Sequence, residues 1–132
     1  MNLTLGLVLA NRQNILRLKG CFSACLKLEH TVIDTKTESA IHEKEFEIFA
    51  SSLSSFKRVR AFDIDLYGIY LKSIVPLSNS LLQFKNLRKL NIDFRHNHGF
   101  KGLQSIGKLL ETHLQLDSLS LGFLFCHEIQ KE

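Results

Sequence analysis

The chain has 132 residues, 45% of them hydrophobic, and a formal net charge of +4. That fits a single folded domain with a real core and excludes an intrinsically disordered chain. Pro76 is the only proline, so there is no proline-rich linker, and no apolar run approaches the ~20 residues of a membrane span.

In chain order, the apolar pattern predicts a strand over 2–8, a helix over 14–26, a strand over 30–35 and a helix over 40–54. It continues with a strand over 60–66, a helix over 72–83, a strand over 88–94, a helix over 101–113 and a strand over 117–123. The opening segment lacks the basic stretch of a secretory signal and reads as a strand. Ser39 is an acceptable cap for the second helix, and Glu43 suits the positive end of its dipole. Pro76 belongs in a first turn, so the third helix should begin near Val75.

These elements repeat. Val59-x-x-Phe62-x-Ile64-x-Leu66 returns 28 residues on as Leu87-x-x-Leu90-x-Ile92-x-Phe94. It returns 29 residues further as Leu116-x-x-Leu119-x-Leu121-x-Phe123. The helical positions keep the same offsets: Phe46, Ile74 and Leu103; Phe49, Leu77 and Ile106; Leu53, Leu81 and Leu110. Ala50, Ser78 and Gly107 form a small-residue column, expected to let each helix approach its strand, and Phe56 and Phe84 are followed by His113. Each unit thus switches from period 3.6 to period 2 at one place. Upstream, an offset of 31 aligns Ile15, Leu18 and Phe22 with the next helix and puts Ile33 on a second strand, and a further 28 reaches Leu3, Leu5 and Leu7. Cys25–Leu28 offers a competing register for that second strand.

The spacing and the L-x-x-L-x-L strands resemble the ribonuclease-inhibitor-like class of leucine-rich repeats. The family's Asn or Cys after the strand is matched by Asn97 and Cys126; Ile69 and Glu38 depart from it. The resemblance is clear over 44–126 and degenerate over 1–43. It implies a single α/β domain over 1–132: a solenoid of parallel strands on a concave side and helices on a convex side, with about five strands and four helices. It also implies a protein-interaction scaffold. Leu53, Leu81 and Leu110 are expected to form the central core column, and truncating one of them to Ala should cost about 2–5 kcal/mol. The sequence ends just after the fifth strand, with His127–Glu132, which reads either as a fragment of a longer array or as an edge protected by a short strand and a charged tail.

Between the inward positions, Asp34, Asp65 and Asp93 fall in one column, with Asp63 and Asn91 in the next and Tyr67 and Arg95 two residues further along. Three readings stand: an acidic patch that takes a basic segment of a partner protein, solvated strand residues neutralised by Lys36, Lys89 and Arg95, or a cation site. His96 and His98 form an H-x-H pair near Cys126, which reads as an exposed loop or as part of a zinc site. Cys21 and Cys25, four apart, read as small core residues or as reactive thiols. Three cysteines without metal-ligand spacing point to reduced thiols and a cytoplasmic setting.

The cations are scattered, without the stripe and interleaved aromatics of nucleic-acid binders. No nucleophile elbow, phosphate loop or zinc-protease motif occurs. The expectation is therefore a binding module and not an enzyme, with no cofactor or metal, no nucleic acid and no membrane. The alternative is a structural piece of a larger repeat protein with no activity of its own.

Overall fold

A computed structural model describes residues 2–6, 29–34, 43–56, 58–67, 71–97, 101–124 and 126. The elements are β1 (Asn2–Gly6), β2 (His30–Asp34), α1 (Glu43–Leu53), β3 (Ala61–Asp65), α2 (Val75–Leu81), β4 (Lys89–Asp93), α3 (Leu103–Thr112) and β5 (Ser118–Gly122). The strands form one open parallel sheet in the order β1-β2-β3-β4-β5. The helix expected over 14–26, the Ser39 cap, and Cys21 and Cys25 lie outside the described residues, so three helices are described where four were expected. The ends of the described elements lie within three residues of their expected positions.

Register follows the repeat. Ile33 pairs with Ile64, Ile64 with Ile92, and Ile92 with Leu121, while Leu5 pairs with Ile33. The second strand is therefore His30–Asp34, as the 31-residue offset requires, and not the Cys25–Leu28 alternative.

Alternation decides which face is covered. Phe62, Ile64, Leu90 and Ile92 are buried, while Ala61, Asp63, Asp65, Asn91 and Asp93 between them are half-buried. The buried set joins Phe46, Phe49, Leu53, Ile74, Leu77 and Leu81 from the helices in one core. Among the described residues, helices thus cover one sheet face and leave the other open. Fully burying a Leu, Ile or Phe is worth about 1.5–3 kcal/mol, so this two-layer core dominates the fold's stability.

Local chemistry sets the helix starts. α2 begins at Val75 with Pro76 in its first turn, where a missing N–H is harmless. Gly102 precedes α3 at φ 98°, and a Cβ there would lie 2.7 Å from Val75 Cγ2. Backbone conformation and helix packing both require glycine at that point.

Two expectations need correction. Leu110 is only half-buried, whereas Leu53 and Leu81 are fully buried, because among the described residues nothing packs beyond α3. At Ser78 and Gly107 the small column does not act by drawing helices onto strands. Ser78 accepts a hydrogen bond from Ser105 Oγ on the next helix at 2.8 Å, and a Cβ added to Gly107 would meet nothing within 4 Å. Ser78 thus meets the neighbouring helix, and Gly107 faces open space.

Candidate functional site

The open sheet face carries two polar regions, one at each end of the strands. At the strand ends, register places Asp34, Asp65 and Asp93 side by side, as the sequence column predicts. The side chain of Asp34 lies outside the described residues, as do Lys36 and His98. The other acids do not stand as an open patch. Asp65 Oδ1 accepts from the backbone N–H of Tyr67 at 2.9 Å. Asp93 Oδ1 accepts the equivalent bond from Arg95, also at 2.9 Å. Each acid thereby closes the turn that follows its strand.

Asp93 does more. The Arg95 guanidinium grips both of its carboxylate oxygens, with Nε at 2.9 and 2.8 Å and a terminal nitrogen at 2.5 Å. That hydrogen bonding holds the Asp93 carboxyl below the usual carboxylate range, although burial pushes the other way, and it raises Arg95 in turn. The next position in the column is Gly122, where a Cβ would lie 3.0 Å from Asp93 Oδ1. Glycine there leaves room for the carboxylate. In the neighbouring column, Asp63 Oδ1 accepts from Asn91 Nδ2 at 3.0 Å.

Beside this row stands an ordered aromatic and cationic group. The Tyr67 side chain is 46% exposed, and its ring lies 4.6 Å from the His96 ring. The Arg95 guanidinium sits 5.7 Å from the Tyr67 ring centre. His96 has φ 60°, a left-handed conformation that glycine favours, and its N–H donates to Leu124 O at 3.1 Å. Among the described residues no group of three or more His, Cys, Asp or Glu could hold a metal.

At the strand starts there is a groove of about 460 Å³. Ala61, Asp63, Lys89, Asn91, Ser118 and Ser120 form its floor, and Glu29, Arg60, Arg88 and Asp117 form its rim. The rim is an in-register row. Arg60 donates its backbone N–H to Glu29 O, Arg88 to Arg60 O and Asp117 to Arg88 O, each at 2.7 Å. The sequence reading missed this groove. Its signal was a charged column directly before each of β2, β3, β4 and β5, at the same offsets as the leucines.

Behind the strand ends lies a third polar feature. Asn97 is fully buried. Its amide donates to Leu66 O at 2.6 Å and to Phe94 O at 3.0 Å, and its Oδ1 accepts from Leu71 N at 3.2 Å. One repeat on, Cys126 Sγ donates to Phe94 O at 3.0 Å. His113 is also buried, and its Nε2 donates to Leu81 O at 2.9 Å at the end of α2. It fills a Phe column and satisfies a helix carbonyl together.

No protein-family model, curated protein or solved structure matches the chain. Among the described residues, no helix is long and apolar enough to cross a membrane.

Proposed function

We propose that this chain is a leucine-rich-repeat solenoid of the ribonuclease-inhibitor-like kind, and that it binds another protein on the open, concave face of its sheet. The parallel order with steps of 28–31 residues supports the repeat reading, as do the side-chain bonds of Asn97 and Cys126 after successive strands. The observation that carries the function is the Tyr67, Arg95 and His96 group. Tyr and Arg are the side chains that most often dominate protein interfaces, and they do so best when held rigid before binding. Here Arg95 is clamped by Asp93 and Tyr67 is flanked by a ring and a guanidinium.

The test is capture of proteins on immobilised chain, comparing wild type with Tyr67→Ala plus Arg95→Ala, and with Lys108→Ala on the exposed side of α3 as control. Specific partners should be lost with the double variant and kept with the control. Capture indifferent to the double variant would sink the proposal. A second reading, a structural piece of a larger repeat assembly, is favoured by the exposure of Leu114, Leu119 and Leu124 at 89%, 45% and 59%. On that reading capture ignores Tyr67 and Arg95.

A further inference from the structure

We infer that the groove at the strand starts receives an acidic segment of the partner protein, with carboxylates seated against Arg60, Arg88 and Lys89. This rests on the protein-binding reading above and reverses the sign of partner that the aspartate column suggests.

The two ends of the open face differ in what is already engaged. At the strand ends Asp93 is neutralised by Arg95, and one oxygen of Asp65 is taken by a backbone N–H. A basic segment arriving there would have to displace Arg95 or share it. At the strand starts the cations are available. Arg60 and Lys89 have no side-chain partner among the described residues. Arg88 gives one terminal nitrogen to Gln115 O at 3.1 Å, and that nitrogen lies 3.9 Å from an exposed Asp117 oxygen. The rest of its guanidinium is uncommitted.

The order along the rim matters more than its total. It runs Glu29, Arg60, Arg88, Asp117, so two like charges stand together on strands about 4.8 Å apart, and Lys89 adds a third beside them. Adjacent like charges repel, and an anion placed between them relieves the cost. Of the flanking acids, Asp117 approaches one terminal nitrogen of Arg88, at 3.9 Å, and Glu29 stands at the far end of the row. Planar guanidinium groups suit carboxylates because two parallel N–H bonds can form. Ser118 and Ser120 on the floor add hydroxyl donors. Glu29 and Asp63 lining the same groove disfavour a uniformly anionic polymer, and no exposed aromatic lines it for base stacking. A protein segment with a few acids fits, and a nucleic acid does not.

The experiment titrates the full chain into three fluorescein-labelled probes: a Glu-rich peptide, a Lys-rich peptide of equal length and a single-stranded DNA oligonucleotide. The Glu-rich peptide should bind best, more weakly at higher salt. Arg60→Glu with Lys89→Glu should weaken it by about tenfold or more. Arg60→Gln with Lys89→Gln should weaken it less, and circular dichroism should confirm that both variants stay folded. Lys108→Gln, on the exposed side of α3, should leave it unchanged. Preference for the Lys-rich peptide, tighter oligonucleotide binding, or no peptide binding would each overturn the inference. The partner-capture result with Tyr67 and Arg95 is independent of these outcomes, so failure here leaves the protein-binding reading to be judged by its own test.

Discussion

The α2–β4 and α3–β5 units are close in pattern and unlike in burial. Leu81 and Leu90 in the first are buried, while Leu110 and Leu119, their equivalents in the second, are half-buried and 45% exposed. Phe94 is buried too, whereas Phe123, stacked against it at 5.2 Å, is only half-buried. A repeat position has no burial of its own. Its neighbours on both sides create it, and among the described residues α3–β5 has a neighbour on one side only. The hydrophobic column is thus a property of stacking, as expected for repeats that contact only adjacent copies.

The largest test of this contrast is a pair of truncations. Leu81→Ala should cost about 2–5 kcal/mol, and Leu110→Ala clearly less, because its site is already open to water on one side. Urea unfolding of both variants decides the matter, and equal losses would break the comparison.

A second pair probes the polar positions behind the strands. Asn97→Leu leaves Leu66 O and Leu71 N without their buried partner and should cost about 1–3 kcal/mol. Cys126→Ala, at the equivalent position one repeat on, removes only a weak thiol donor and should cost less. Thermal melts that rank the two in the opposite order would contradict the assignment of Asn97 as the stronger link.

The smallest effect is electrostatic. The Asp93 carboxyl is depressed in the folded state, chiefly by its hydrogen bond from Arg95. A depressed acid stabilises the fold above its unfolded pKa of about 3.9, and that contribution is lost as pH falls from there through the folded value. The stability difference between wild type and Asp93→Asn should therefore be largest near neutral pH and shrink in acid. Because Arg95 is exposed, the difference should be modest and salt-sensitive. Gly122 at the same position in β5 offers no counterpart.

Strand register and helix phase were legible because each rests on a period that leucine and phenylalanine mark directly. Even the degenerate second strand was placed, since Ile33 sits where the offset requires. The aspartate column was legible as a column, and neutralisation by Arg95 was one of the three readings it left open. Only folding shows that Arg95, two residues on, turns back to grip Asp93. The rim of Arg60 and Arg88 was overlooked because scattered cations look like ordinary surface until parallel pairing gathers them. His113 seemed a break in a Phe column, since sequence spacing does not reveal that its ring nitrogen reaches the carbonyl ending the previous helix.

Asn97 has one more consequence. The amide of Leu71 belongs by sequence to the turn after β3, yet its proton is held by a side chain that follows β4. Its exchange with solvent therefore follows the opening of the β4 turn and not merely local fraying of its own. A single backbone position becomes a clock for how often adjoining repeats part company, read without label or ligand.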